Sequence, residues 1–363
     1  MIKIHLDGLI YQSVPNGGIG RIFTNTTRQL LRDYADMRIL LSLPAGAEIP
    51  QDFVPHLHRV HYGHFPRLLR PVLAAWGPDI YHPTYYTFSP SRRTKNVVTV
   101  YDFVDRRLSA MMPNGPGFFE RQRQVIEQSD MLIAISESTR DDILRFTNAN
   151  AQKIVVAYPA LAEGFSAVTD LAAEGASFRR RFVNDCPYWL YVGGRHKYKN
   201  FDVLLHAFCE LARSRDMHLV LVGGARQLEN YQNDIAVRHH CENRIIQCPQ
   251  VDDQILRGAY AGATALIQTS LWEGFGIPLI EAAACGAPLV LSDIAAFREV
   301  AGDAALYADP YDQKAWRPVL EATLTGPISE RLRVDARAKI AGRFTWKQAA
   351  GQIRKAYEQA LGS

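Results

Sequence analysis

The segment Ser270-Leu271-Trp272-Glu273-Gly274-Phe275-Gly276-Ile277-Pro278-Leu279-Ile280-Glu281 combines glycines, carboxylates and a helix start within twelve residues. The apolar run Ala263–Gln268 predicts a strand ending just before it. Leu279–Cys285 predicts a helix beginning just after, with Pro278 suited to the first helical turn. Gly274 and Gly276 free the backbone to approach a ligand, and the helix start turns unpaired N–H groups and the positive end of its dipole toward an anion. At the carboxyl edge of a parallel sheet this is a phosphate-binding arrangement. A carboxylate beside a diphosphate is unfavourable unless it accepts from hydroxyls, so Glu273 and Glu281 suit sugar hydroxyls better than phosphate oxygens. A plain glycine turn followed by a helix with solvated glutamates has the same spacing, and spacing alone does not separate the two.

These residues need a parallel sheet to hold them, and the pattern of the chain supplies one. Short apolar runs alternate with helical periodicity along nearly the whole length, the signature of βαβ units. In the first half strands are predicted at Lys3–Asp7, Arg38–Leu43, Val97–Tyr101, Met131–Ile135 and Ile154–Ala157. In the second half they fall at Trp189–Gly193, His218–Gly223, Ala263–Gln268, Pro288–Ser292 and Ala304–Tyr307. Between them lie helices such as Phe201–Arg213, where Phe201, Leu204, Leu205, Phe208 and Leu211 recur at helical spacing. Two Rossmann-like α/β halves are implied. The less periodic stretch containing Ala172-Ala173-Glu174-Gly175 is read as the linker, so the expected divisions are 1–165, a linker at 166–185, 186–345 and a final helix at 346–363.

At 363 residues the chain is long enough for about two domains of ~150 residues each. A hydrophobic share of 47% and a charged share of 21% exclude disorder, collagen and coiled coil. The net charge of +4 is too small for a dedicated nucleic-acid binder. Five cysteines without a C-x-x-C pair point to free thiols in a reducing compartment. The N-terminal MIKIHLDGLI lacks the apolar core of a secretory signal and no run reaches 18 apolar residues, so a cytoplasmic protein is expected.

Glu273 to Glu281 matches, without a gap, the pattern E-G-F-G-x-P-x-x-E that marks retaining glycosyltransferases of family 4, and the chain resembles that family over most of its length. The resemblance implies the GT-B architecture, two Rossmann-like domains facing across a cleft, with a nucleotide diphosphate sugar held mainly by the second. By that resemblance Glu273 contacts the donor sugar hydroxyls, the backbone of Phe275, Gly276 and Ile277 holds sugar and phosphate, and Glu281 binds the ribose. Gly17-Gly18-Ile19-Gly20-Arg21 is similar to the family's GGIGR loop near the donor diphosphate and acceptor. Tyr191 to Phe201 resembles the donor-binding strand, loop and helix. Lys199 matches the family lysine, whereas Gly194 stands at the usual arginine position and Arg195 falls one residue later. Ser292-Asp293 and Arg298 to Ala305 also match the end of the donor domain, and the last helix, Trp346–Leu361, resembles the one that crosses back to the first domain.

A leaving nucleoside diphosphate gains negative charge as the glycosidic bond breaks, and Lys199 with Arg195 would stabilise that charge more in the transition state than in the ground state. On the acceptor side, His82, Tyr85 and Tyr86 are candidates to line a sugar pocket by stacking and hydrogen bonding; a packed aromatic edge is the alternative. Thr99-Val100-Tyr101-Asp102 corresponds to the family's T-v-H-D, with Tyr101 replacing a histidine implicated in catalysis. Asp102 is a candidate to position or deprotonate the acceptor hydroxyl, or to cap a loop. Ser136 resembles a serine of the family's next strand end and also suits a helix cap. Glu273, Lys199 and Asp102 are therefore the expected catalytic residues.

Phe23 stands where a dinucleotide fingerprint needs its third glycine, and no Walker motif occurs. His239, His240, Cys241 and Cys248 fit no zinc spacing, and without a D-x-D triplet no metal or other cofactor is expected. Between Arg59 and Arg107 eight cations face three aspartates, and His64–Trp76 is basic and amphipathic. It is either a helix docked on its own domain or a peripheral contact with an anionic membrane at its cytoplasmic face. The expected activity is metal-independent transfer of a hexose to a glycan or lipid-linked glycan, forming an α-linkage in polysaccharide or lipopolysaccharide synthesis. Tyr198-Lys199-Asn200 is similar to mannose- and rhamnose-transferring members of polysaccharide pathways, and of the two GDP-mannose is the donor expected. A sugar phosphorylase or sucrose-type synthase of the same fold, and a catalytically silent sugar-nucleotide scaffold, are the alternatives.

Overall fold

Near-continuous apolar runs of four to eight residues form strands that are buried on both faces, which requires parallel sheets covered by helices. The computed structural model describes residues 1–13, 17–47, 58–63, 69–89, 91–112, 115–166 and 170–362. The chain divides into two units, Met1–Ala160 together with Phe344–Ser363, and Leu161–Arg343.

The first unit holds a seven-stranded sheet in the order β3-β2-β1-β4-β5-β6-β7. Its strands are β1 (Ile2–Leu6), β2 (Met37–Pro44), β3 (His58–Gly63), β4 (Ile80–His82), β5 (Lys95–Val100), β6 (Met131–Ala134) and β7 (Ile154–Val156). All pairs are parallel. The strand order reverses between β1 and β4, so the loops after these strands diverge to opposite faces and leave a crevice at their carboxyl ends. Helix Trp346–Gly362 belongs to this unit and packs against helix Gly18–Asp33.

The second unit holds a six-stranded parallel sheet in the order β10-β9-β8-β11-β12-β13. Here β8 is Tyr188–Val192, β9 His218–Val222, β10 Ile245–Cys248, β11 Ala265–Gln268, β12 Leu289–Ser292 and β13 Leu306–Ala308. The reversal falls between β8 and β11. Trp189, Tyr191, Phe208, Leu221, Ile267 and Trp316 form part of one core, and the indoles keep their N–H groups satisfied: Trp189 donates to Thr323 Oγ1 at 3.0 Å and Trp316 to the Asp309 carbonyl at 3.0 Å.

All ten strands expected from the sequence are present within a residue or two of their expected bounds, and β3, β4 and β10 are additional. Most of the stretch expected as a linker is instead helix Leu171–Val183. Gly175, in the run expected within the linker, is a contact point: a Cβ there would lie 2.8 Å from the Gly262 nitrogen of helix Asp253–Gly262, so small residues allow the two backbones to touch. Glu174 beside it pairs with Arg257 at 2.9 Å. All five cysteines are free. No helix among the described residues is long and apolar enough to cross a membrane. Of the basic segment His64–Trp76, residues 64–68 lie outside the described residues. Trp76 at its end docks on its own unit, with Lys3 Nζ over its ring at 5.8 Å and the His58 ring at 4.9 Å.

Candidate active site

The second unit gathers its chemistry at the β8/β11 switch point, in the loops that follow the two strands. Lys199 follows the short turn after β8, and Asn200 takes a left-handed conformation (φ 54°) that launches helix Phe201–Leu211. The loop after β11 holds this turn in place. Leu271 N donates to the Tyr198 carbonyl at 2.8 Å and Thr269 Oγ1 donates to the Lys199 carbonyl at 2.9 Å. Lys199 Nζ then donates to Glu273 Oε1 at 2.6 Å, and Ser270 Oγ donates to the same oxygen at 2.7 Å. The side chains of Lys199 and Glu273 are 19% and 16% exposed, half-sunk with their charged ends paired. Burial opposes the ammonium charge, but Glu273, Tyr198 and Tyr191 outweigh it and hold the Lys199 pKa above its ordinary value.

Gly276 N-caps helix Ile277–Ala284 at φ 113°. A Cβ there would meet Phe297 at 3.0 Å and Leu279 at 3.1 Å, so only glycine fits both the conformation and the space. Phe275 is buried, and Glu281 on the next helical turn is 3% exposed, accepting from the Tyr260 hydroxyl at 2.9 Å. Lys199, Glu273, Gly276 and Ile277 thus lie on the two loops of one switch point. Arg195 does something different from what its charge suggested. Its guanidinium donates to the Ala225 carbonyl at 2.6 Å, to Gln227 at 3.0 Å and to Gly223 at 3.4 Å, clamping the loop after β9. Gly224 in that loop, at φ 72°, passes so close that a Cβ would sit 3.1 Å from the Gly193 carbonyl.

In the first unit, Gly17 N-caps helix Gly18–Asp33 without a side-chain bond, leaving its first turn to backbone groups. His82 lies inside the unit, beside a small cavity lined also by Phe23, Thr99 and Tyr357. It is 2% exposed, its Nδ1 bonds the Tyr357 hydroxyl at 2.7 Å and its Nε2 bonds Thr99 Oγ1 at 2.8 Å, and burial drives its pKa down to about 3. Both ring nitrogens are used inside the core. Tyr101 is likewise buried and donates to the Thr84 carbonyl at 3.1 Å, and the buried Tyr86 hydroxyl accepts from Gln122 Nε2 at 2.8 Å. Ser136 is a helix cap, accepting from Thr139 N at 2.9 Å. Asp102 accepts from Val104 N at 3.0 Å and is only half-buried. Tyr85, 37% exposed, is the pocket candidate left at the surface. Burial, Asp102 and Asp105 push its pKa up to about 12, so the phenol stays neutral.

Residues 186–325 match the family model described as glycosyl transferases group 1, and residues 16–162 match that described as glycosyltransferase family 4. The chain belongs to the family 4 glycosyltransferases. O-antigen chain mannosyltransferase B of Escherichia coli is 27% identical over 303 residues, 80% of this chain and 78% of that protein. D-inositol 3-phosphate glycosyltransferase of Xylanimonas cellulosilytica is 28% identical over 288 residues, 77% of this chain and 66% of that protein. Among solved structures, sucrose-phosphate synthase from Thermosynechococcus elongatus superposes with a TM-score of 0.80 at 17% identity, covering 100% of both chains. The fold of this glycosyltransferase is GT-B.

Two residues of the glycosyltransferase escaped the sequence reading. Tyr260, which holds Glu281, carries no motif signal. Asp7 lies at the other unit's switch point and gathers four hydrogen bonds from Tyr81, Thr84 and Thr87. Its one sequence signal is an acidic residue at the carboxyl end of the first strand, where α/β folds place ligand loops.

Proposed function

We propose that this glycosyltransferase is a retaining, metal-independent mannosyltransferase. It moves mannose from GDP-mannose to a hydroxyl of a glycan or lipid-linked glycan and forms an α-linkage in polysaccharide or lipopolysaccharide synthesis. The observation that carries the reading is the Lys199 and Glu273 pair at the β8/β11 switch point, beside the Gly276-capped helix start. Glu273 takes one of the three N–H donors of Lys199, and no other described residue takes the rest, so two remain for phosphate oxygens. As the glycosidic bond breaks, charge grows on the leaving phosphate, and an ammonium fixed beforehand stabilises it without reorganisation. The amides at the start of helix Ile277–Ala284 add their dipole. Glu273, held on one oxygen by Lys199 and Ser270, is a rigid acceptor for sugar hydroxyls. The mannose assignment draws on the relative that is an O-antigen chain mannosyltransferase. A lipid-linked acceptor would bring the chain to an anionic membrane face.

The test is incubation with UDP-, GDP- and dTDP-sugars, following nucleotide release with and without 4-nitrophenyl α-mannoside, and with and without free phosphate. GDP release from GDP-mannose that rises with the acceptor is expected, with an α-linked product by proton NMR. Tight nucleotide binding with no release from any donor would reduce the protein to a scaffold. Turnover that requires phosphate would make it a phosphorylase, and a β-linked product would overturn retention.

A further inference from the structure

The first unit contains a buried carboxylate that the donor chemistry does not use. Asp7 follows β1 directly, at the β1/β4 switch point, and is 6% exposed. Its Oδ1 accepts from Thr84 N and from Thr84 Oγ1, both at 2.7 Å. Its Oδ2 accepts from the Tyr81 hydroxyl at 2.8 Å and Thr87 Oγ1 at 2.6 Å. A buried carboxylate is costly unless its lone pairs are filled, and here they are filled by one short segment of chain.

Thr84 and Thr87 bracket Tyr85 and Tyr86. Thr87 N also donates to the Tyr85 carbonyl at 2.9 Å, closing the tip into a tight turn. Tyr86 turns inward to Gln122, while Tyr85 stays exposed with its ring 5.2 Å from Tyr86 and 5.8 Å from Phe118. The rings form an aromatic platform whose outer member is free to meet a ligand. A flat ring of this kind suits the apolar C–H face of a pyranose, with the hydroxyl at its rim for a polar contact.

We propose that Asp7 is a positioning residue for the acceptor sugar, fixing both ends of the Tyr85-Tyr86 tip so that the Tyr85 ring is presented as its stacking surface. The proposal rests on the transferase reading above and adds the device that shapes its acceptor side. A binding group must be held to within about 0.5 Å to be effective, and four short bonds to one carboxylate meet that demand.

Asp7→Ala removes all four bonds, and Thr87→Val removes one while keeping the side-chain shape, so the second variant serves if the first does not fold. Two readouts apply. Chymotrypsin cleavage after Tyr85 reports the tip directly, and KM values with GDP-mannose and 4-nitrophenyl α-mannoside report the two substrates separately. The expected result for Thr87→Val is nicking at Tyr85 at least tenfold faster and an acceptor KM raised at least fivefold, with donor KM unchanged. Unchanged nicking overturns the clamp, and faster nicking with unchanged acceptor KM overturns its role. Equal rises in both KM values mark a merely structural residue. If the unsubstituted protein turns over no donor, the transferase reading and the acceptor role fall together, while the nicking rates still decide whether Asp7 holds the tip.

Discussion

The Lys199 ammonium donates to Glu273 Oε1 across 2.6 Å, tying the loop after β8 to the loop after β11 at the strand reversal of the second unit. One contact therefore fixes both the cation for a leaving phosphate and the carboxylate for a sugar. Lys199→Met is expected to lower kcat by about 100- to 1000-fold, the usual loss on removing a preorganised charge stabiliser. It also takes the charged partner from a half-buried carboxylate that keeps its bond from Ser270, at a cost of about 1–3 kcal/mol in urea unfolding. Retention of a tenth of the activity in a folded variant would remove Lys199 from the chemistry.

The same pair sets a pH expectation. Burial lowers the Lys199 pKa, Glu273 and the neighbouring tyrosines raise it by more, and the net shift is upward from the ordinary 10.5. A raised pKa in the folded state gives stabilisation that is complete below 10.5 and is lost only as pH climbs through the folded value. Wild-type kcat should therefore show no alkaline limb from this lysine up to about pH 10. In Glu273→Gln the largest raising influence is gone, so an alkaline limb should appear at lower pH in the residual activity. An identical profile in both proteins would show that the pair does not control the titration.

Arg195 offers a sharper test of what a cation near a phosphate site does. Its guanidinium is engaged with the carbonyls of Gly223, Ala225 and Gln227. If its work is to shape the loop after β9, Arg195→Lys loses the fork geometry, raises donor KM by about three- to tenfold, or about 1 kcal/mol, and leaves kcat within twofold. A fall in kcat with donor KM unchanged would instead place the guanidinium on the leaving group.

Much of the fold was legible because buried parallel strands are apolar throughout, as in Trp189–Gly193. Two of the three strands beyond those expected, β3 and β4, lack that signal. β3, His58–Gly63, is a polar edge strand, and β4, Ile80–His82, has three residues. The Glu273 to Glu281 segment was legible because its glycines, proline and carboxylates are contiguous. The roles that were misread depend on partners far away in sequence. His82 was open to a sugar-pocket role or to a packed edge because its partner Tyr357 lies 275 residues on, and the donors to Asp7 come from 74 to 80 residues away. Residue type announces a capacity to bond, whereas only the fold says whether that capacity is already used.

Tyr101, which stands in place of a histidine, is one such case. Its hydroxyl is buried and donates to the Thr84 carbonyl, at the edge of the Asp7-held tip. Tyr101→Phe is expected to cost about 1–2 kcal/mol of stability, since it leaves that carbonyl unpaired, and to change kcat by less than threefold. A loss of a hundredfold or more in kcat at unchanged stability would return Tyr101 to the chemistry.

Acid sensitivity of the first unit follows from two buried histidines. Burial lowers His82 to about 3, and it lowers His5, whose Nε2 bonds Ser42 Oγ at 2.9 Å, to about 4 despite the opposing charge of Asp7. Because the folded pKa of each lies below the ordinary 6.5, the unfolded chain binds protons first as pH falls. Stability from these two residues is complete above pH 6.5 and declines as pH drops toward 4, by up to about 1 kcal/mol per pH unit for each. Hydrogen exchange of the β1 and β4 amides at pH 7, 6 and 5 reads this directly in the intact protein. His82→Gln should flatten the decline by about half while lowering the value at pH 7, because glutamine cannot bridge Tyr357 and Thr99 with the same geometry. An unaltered slope in that variant would show that other groups carry the acid response.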